Sequence, residues 1–196
     1  TSGNPLGGYE LDYTDCGSLL TDANGSYAVG ILGGQTGWIG GDNDDFGPKG
    51  YFQPMGANFT GITDQAVRVD HNATPFTSYL IGRVVDEQGQ PVKLMDVEAR
   101  TSGGQRSEVR TDLNGNFKLG AVAGNWSIGL KYDAWQQGFM AYRKDIGIVT
   151  DGVNREGLVH TAKRATRQLT ISVKDNLGRP ISNVGVGLSS TIGGTY

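Results

Sequence analysis

Few side chains in this sequence are of the types that perform catalysis or bind transition metals. The 196 residues include one cysteine, Cys16, and two histidines, His71 and His160. No serine or cysteine lies in a recognisable nucleophile motif, and no two carboxylates have the pattern of a general acid and base. A single cysteine also excludes an intramolecular disulfide bond. The sequence therefore offers no catalytic residue, and we expect a protein that is not an enzyme.

One acidic loop has the residue types that bind a hard cation. Asp42 and Asp44 alternate in a loop flanked by glycines, and calcium is held by carboxylate oxygens at alternating positions. Gly47 fits the sixth place of a calcium loop, but Gln53 stands at the twelfth, where a bidentate carboxylate belongs. Asp42 and Asp44 are thus candidate calcium ligands, with a solvated acidic turn as the alternative. We expect no other cofactor.

Four Asn-x-Ser/Thr sequons are candidate glycosylation sites, at Asn24, Asn58, Asn72 and Asn125. Asn58 and Asn72 are favoured. The other two lie inside a repeated turn and at a strand start, where the same residue types have structural reasons to be present. Used sequons would make the chain a glycoprotein, and would fit an extracellular or cell-surface location.

Composition favours an all-β protein. Glycine contributes 32 residues and charged residues only 19%, which is typical of short strands joined by tight turns. The formal charge of −3, from 17 basic and 20 acidic residues, argues against a nucleic-acid partner. No apolar run approaches the roughly 18 residues of a membrane span.

The sequence repeats itself about every 89 residues. Residues 21–30 recur at 111–120, and residues 80–92 recur at 169–181. We therefore expect three unequal modules. The first, residues 1–76, lacks its opening strand; the second, residues 77–166, is complete; and residues 167–196 hold only the opening strands of a third.

Period-two alternation between turn signals predicts antiparallel strands and a two-sheet sandwich with Greek-key connections. The expected core of the middle module consists of the inward-facing apolar residues. These are Val84, Val97, Phe117, Leu119, Trp126 and Ile128. Trp38 aligns with Trp126 by spacing, which predicts that Trp38 is also a core residue.

Five motifs in a fixed order carry a family resemblance. They are Leu80-x-Gly82-x-Val84-x-Asp86, Gly89-x-Pro91, Val97-x-Ala99, Thr111-Asp112-x-Asn114-Gly115-x-Phe117 and Gly124-x-Trp126-x-Ile128. In this order they resemble the carboxypeptidase regulatory-like module, which is similar to transthyretin-like domains and to the collagen-adhesin B-type repeats of bacterial surface proteins. The resemblance implies a prealbumin-like, immunoglobulin-like sandwich that serves as a spacer, stalk or docking module, without catalysis.

Three functions remain open on these grounds. The first is a structural extracellular protein, a part of a filament, stalk or surface layer. In that case Leu169, Ile171 and Val173 of one chain would complete the first module of the next by donor-strand complementation, head to tail. We expect the strand to enter between residues 3–13 and residues 21–29. The alternative reading of the ends is a piece of a longer array. The other two functions are a carbohydrate- or protein-binding module with a glycan or surface partner, and an accessory domain of a larger secreted enzyme.

Overall fold

The computed structural model describes residues 4–14, 17–167 and 169–186. Cys16 therefore lies outside the described residues, as do parts of the third module. Eleven strands occur in the described part. They are β1 (Glu10–Tyr13), β2 (Gly17–Leu20), β3 (Thr36–Gly41), β4 (Ala57–Thr60), β5 (Ser78–Val85), β6 (Asp96–Thr101), β7 (Arg106–Arg110), β8 (Asn116–Ala121), β9 (Gly124–Leu130), β10 (Arg143–Val149) and β11 (Arg155–Thr161).

Two short helices accompany the strands, α1 (Asn43–Phe46) and a 3₁₀ helix (Tyr132–Gln137). Among the described residues, neither helix has the length and apolar character needed to cross a membrane.

The middle module is a sandwich of two sheets. One has the strand order β10-β9-β6-β7, and the other has the order β11-β5-β8. Strand β5 is the centre of the second sheet, antiparallel to β8 and parallel to β11. All six predicted core residues are buried between the sheets. The all-β, tandem sandwich expectation is confirmed.

In its described residues, 4–14 and 17–76, the first module contains the counterpart of only one of these sheets. Its strand order β2-β1-β3-β4 repeats the order β7-β6-β9-β10. The register is the same in both, because Leu11 lies opposite Gly41 as Val97 lies opposite Leu130. One face of this sheet carries a second apolar core. Its buried members are Tyr9, Leu11, Tyr13, Ile39, Phe46 and Phe59.

The repeat extends to the hydrogen bonds of the turns. The Asp112 carboxylate accepts bonds from the amides of residues 114 and 116, and the Asp22 carboxylate does the same for residues 24 and 26, all at 2.8–2.9 Å. Gly115 and Gly25 follow with φ of 76° and 69°, in the left-handed region that glycine adopts without steric cost. The same turn chemistry thus recurs at the equivalent turn of both modules.

The expectation that Trp38 is a core residue is wrong. Ile39 pairs with Tyr13 as Ile128 pairs with Ala99, so Trp38 corresponds to the residue after Trp126. A shift of one residue moves a strand side chain to the opposite face, and Trp38 is 39% exposed.

In the first module, a different side chain fills the core position that Trp126 occupies in the middle module. Gly37 corresponds to Trp126 in the observed register, and it lies opposite Phe59. A Cβ on Gly37 would approach the Phe59 ring to 2.5 Å. The ring of Phe59 therefore occupies this space, from the neighbouring strand.

Phe52 connects the two modules. It precedes β4 in the first module, yet it is buried in the core of the middle module. Its ring stacks on Trp126 at 6.0 Å and meets Phe76 edge-on at 4.6 Å. The Phe52 amide also donates to the Thr74 carbonyl at 2.8 Å. The junction is therefore a packed contact.

Candidate functional site

The first module has a gap where its second sheet would be. In the middle module that sheet is organised around β5, because both β8 and β11 pair with it. Among the described residues before Phe76, all strands belong to the sheet β2-β1-β3-β4. Residues 26–31 and 66–72 stand at the repeat positions of β8 and β11, and the structure assigns no strand to them.

A groove runs between these two segments. It comprises a cavity of about 970 Å³ and an adjoining one of about 380 Å³. Tyr27, Val67 and Val69 line both cavities. The floor is the apolar face of the four-stranded sheet, contributed by Tyr9, Leu11, Tyr13, Ile39, Phe46 and Phe59. The groove thus lies over a hydrophobic core whose own residues are buried.

One wall of the groove has the pattern of a strand. Val67, Val69 and His71 are partly buried, whereas Arg68 and Asp70 between them are exposed. This is the period-two alternation of a strand with one face on a core. Without a neighbour in the groove, such a segment leaves backbone amides and carbonyls unpaired.

Tyr27 bridges the groove from the opposite wall. Its hydroxyl donates to the Val69 carbonyl at 2.8 Å. The pKa of Tyr27 is raised, first by burial and then by the nearby Asp70 carboxylate. The middle module has Phe117 at this repeat position. The hydroxyl of Tyr27 therefore satisfies a carbonyl that a central strand would otherwise pair.

The two histidines occupy equivalent places, 89 residues apart. His160 is buried in β11 opposite Val84, with its ring 4.9 Å from that of Tyr142. Burial, with a smaller contribution from Lys144, lowers the pKa of His160 from 6.5 to about 4. His71 lies in the groove wall, with Nδ1 3.3 Å from the Met55 carbonyl oxygen. The two histidines thus share one repeat position, buried in the middle module and partly buried in the first.

The structure places the candidate calcium ligands at the start of α1. The Asp42 carboxylate accepts a hydrogen bond from the Asp44 amide at 2.9 Å, and its carbonyl accepts from the Asp45 amide at 3.2 Å. Asp45 pairs with Lys49 at 2.7 Å. Within the described ranges, no three His, Cys, Asp or Glu side chains are grouped as metal ligands. Calcium binding by Asp42 and Asp44 stays a prediction.

All four sequon asparagines, Asn24, Asn58, Asn72 and Asn125, are exposed. Their positions permit glycosylation, which stays a prediction.

The predicted donor residues lie after the middle module. Leu169 is 69% exposed and Ile171 is 46% exposed, while Val173 is partly buried. They follow β11 in a segment to which the structure assigns no strand, and they carry the alternating pattern of β5.

Sequence reasoning located one border of the groove and missed the other. Residues 3–13 were expected to border it, but their described part contributes the floor, through Leu6, Tyr9 and Leu11. The second wall is residues 65–73. The alternation of Val67, Val69 and His71 was the sequence signal that could have identified it.

Comparisons with known proteins concern the fold. No family model and no curated protein matches the sequence. Among solved structures, the 5-hydroxyisourate hydrolase of Klebsiella pneumoniae is 17% identical with a TM-score of 0.36, over 44% of this chain and 91% of the hydrolase. The shaft pilin SpaA of Lactobacillus rhamnosus GG is 11% identical with a TM-score of 0.34, over 86% of this chain and 91% of the pilin. The minor pilin GBS52 of Streptococcus agalactiae is 12% identical with a TM-score of 0.35, over 88% of this chain and 89% of the pilin. These neighbours are transthyretin-like and pilin β-sandwich proteins, and at such values they assign no activity or partner to this chain.

Proposed function

We propose that this chain is a structural segment of an extracellular filament, stalk or surface layer, and that it is not an enzyme. In this proposal residues 169–173 of one chain enter the groove of the first module of the next chain. The observation that supports it is a complementarity within one sequence. The first module has a groove with an apolar floor and partly polar walls at the place of a β5 strand, and the segment after the middle module carries the β5 pattern with exposed Leu169 and Ile171.

Docking of residues 169–173 into the groove is favourable for two physical reasons. Burying a leucine or isoleucine side chain contributes about 1.5–3 kcal/mol, and Leu169 and Ile171 would both be buried on the groove floor. A strand in the groove would also pair the backbone of both walls, and a typical hydrogen bond contributes about 0.5–1.5 kcal/mol.

In this proposal the partner is a second chain, because the connecting segment has almost no slack for folding back. The Ala162 amide bonds to the Val85 carbonyl at the end of β5, whereas the first module joins at the start of β5. The eight residues of β5 span about 23 Å from first to last Cα. A fully extended chain from Ala162 to Leu169 reaches about 25 Å, so its whole length is used in returning to the start of β5. Head-to-tail joining of this kind does not close on itself and produces a filament.

The test is the oligomeric state of the 196-residue chain, measured by size-exclusion chromatography with light scattering over a range of concentrations. We expect concentration-dependent oligomers from the native sequence and monomers from Ile171→Asp. Ile148→Asp is the matched control, because Ile148 is an exposed isoleucine of β10 that lies outside the proposed contact. A chain lacking residues 168–196 should remain monomeric with an unstable first module. Long polymers of that truncated chain would refute the proposal.

A second function, binding of carbohydrate, is favoured by one surface feature. Tyr132 and Trp135 of the 3₁₀ helix are 65% and 63% exposed, and aromatic faces stack on sugar rings. Glycan-array binding that is lost in Trp135→Ala, with the oligomeric state unchanged, would support this function over the structural one.

A further inference from the structure

We infer that the incoming strand docks in the register of β5, and that the donor chain releases its own turn, residues 175–181, in order to dock. This inference rests on the proposed function. It specifies the surface of the acceptor chain that binds the strand and the turn of the donor chain that opposes binding. It follows from the internal repeat, because the middle module shows where each residue of a seated strand lies.

The register is read from the pairs of β5. Gly82 lies opposite Phe117 in β8 and opposite Leu158 in β11. Ile171 stands at the Gly82 position, 89 residues on. In the acceptor, Tyr27 and Val69 correspond to Phe117 and Leu158. Ile171 is therefore placed between Tyr27 and Val69, with Leu169 and Val173 on the same inward face.

The groove differs from the middle module at the position of Gly82, where Ile171 would be placed. A Cβ on Gly82 would lie 2.2 Å from the Leu158 carbonyl oxygen, so β5 carries no side chain there. The donor segment carries isoleucine instead, and it faces an open groove of about 970 Å³ walled by Val67 and Val69. The larger donor side chain is thus excluded from the β5 place of the middle module, and its docking requires the wall of residues 67–71 to stand farther from the donor strand than β11 stands from β5.

Charge supports the same register. Lys174 follows Val173, and its counterpart Val85 lies opposite Thr161. That pair places Lys174 opposite Asn72 and diagonal to Asp70 on the outer face. Opposite charges at such cross-strand positions are mildly stabilising. Asp70 now pairs with Arg68 at 2.8 Å.

A conflict arises at the end of the donor strand. The carbonyl of Val84 accepts from the Val92 amide at 3.0 Å, and in the third copy the carbonyl of Val173 accepts from the Ile181 amide at 3.0 Å. The acceptor already has its own residue at this place, Leu6. The Leu6 carbonyl accepts from Thr21 Oγ1 at 2.7 Å, just as the Val92 carbonyl accepts from Thr111 Oγ1 at 2.9 Å. Leu6 of the acceptor and Ile181 of the donor cannot occupy one place.

Burial decides which segment leaves. Leu6 packs against the core of the first module, whereas Leu177 and Ile181 of the donor turn are exposed. The turn is held by the Asp175 carboxylate, which accepts from the Leu177 and Arg179 amides at 2.9 Å and from Arg179 Nε at 2.7 Å. Asp175 therefore opposes assembly, because its turn must open before Val173 can bond to Leu6 of the acceptor.

The register is tested by cysteine cross-linking in a Cys16→Ser background. Ile81 lies opposite Lys118, which places Thr170 of the donor opposite Ala28 of the acceptor. Thr170→Cys with Ala28→Cys should give a ladder of disulfide-linked chains under mild oxidation. Thr170→Cys with Gly30→Cys, two residues out of register on the same face, should not. A ladder from the Gly30 pair and none from the Ala28 pair would overturn the register.

The turn is tested with Asp175→Ala, compared with Asp112→Ala in the same hydrogen-bonding pattern of the middle module. Removing about 1 kcal/mol of turn stability should lower the concentration for half-association roughly fivefold, and Asp112→Ala should leave it unchanged. If Asp175→Ala associates no better than the native chain while Ile171→Asp is monomeric, the turn plays no such part and the proposed function survives. If the native chain and Asp175→Ala are both monomeric at every concentration, the proposed function fails and this inference fails with it.

Discussion

His160 makes the stability of the middle module depend on pH. Its pKa is about 4 in the folded protein, against 6.5 when unfolded. Below pH 6.5 the unfolded chain binds a proton that the folded chain refuses, so the stability contributed by neutral His160 is complete above pH 6.5 and is lost as the pH falls toward 4.

We expect the free energy of unfolding to fall by about 2 kcal/mol between pH 7.5 and pH 5 on account of this residue. His160→Leu should abolish that part of the pH dependence, because leucine does not titrate. Urea unfolding of both proteins at the two pH values measures it, and other groups cancel in the difference. Equal pH dependence in both proteins would contradict the assignment.

Tyr27 shows how one hydroxyl can compete with a strand. Tyr27→Phe removes the bond to the Val69 carbonyl and introduces the residue found at the same place in the middle module. The binding assay uses a peptide of residues 167–175 and a chain lacking residues 168–196. In that chain we expect Tyr27→Phe to lower the dissociation constant of the peptide roughly fivefold, which corresponds to about 1 kcal/mol. Isothermal titration calorimetry measures the change, with Tyr79→Phe outside the groove as the control. Weaker binding by Tyr27→Phe would contradict it.

At the scale of single residues, the sequence predicted burial well where the alternation was unambiguous and poorly where it was interrupted. Val84 and Ile128 lie in regular alternation and are buried as expected. Trp38 was misplaced, because matching tryptophan to tryptophan ignored the strand pairing that sets the register. Phe59 replaces the missing ring from a neighbouring strand, and such substitutions across strands leave no local signal in a sequence.

At the scale of elements, Gly82 is a position where strands β5 and β11 approach each other closely. Gly82→Ala would bring a Cβ to 2.2 Å from the Leu158 carbonyl oxygen, in the parallel pair of β5 and β11. We expect a loss of about 1–3 kcal/mol in stability, measured by chemical unfolding. Gly30→Ala is a suitable control, because nothing lies within 4 Å of a Cβ at Gly30.

A substitution at the equivalent donor position separates packing within the middle module from association between chains. Ile171→Gly, at the equivalent place in the donor segment, should leave the middle module unchanged and weaken only association. An equal loss of thermal stability in the middle module from Ile171→Gly would show that residues 169–173 already pack within their own chain.

Elements were predictable from the repeat only where the repeat is complete. Strands β5, β6, β8 and β9 follow the alternation and the turn signals of the middle module. In the first module, residues 26–31 have the sequence of a strand, yet the structure assigns none, because a strand also needs a neighbour to pair with. The absence of a central strand therefore leaves two segments, residues 26–31 and 66–72, without an assigned strand.

At the scale of the whole molecule, Phe52 links the stability of the two modules. Phe52→Ala would remove the ring that packs on Trp126 and Phe76, at a cost of about 3–5 kcal/mol typical of such core changes. We expect a lower melting temperature for the middle module, although the substituted residue belongs to the first. Met55→Ala, an exposed neighbour, should have no effect. An unchanged melting temperature in Phe52→Ala would show that the modules are energetically independent.

The parallel pairing of β5 with β11 determines how a pulled chain would carry tension. The chain enters the middle module at the start of β5 and leaves at the end of β11, so a stretching force acts on the two strands in opposite directions along their length. The hydrogen bonds between them are then loaded in shear, and they must break together rather than one after another. A donor strand seated beside residues 67–72 would be loaded in the same way, so a filament joined like this would resist pulling at its joints by the same shear geometry as within its modules.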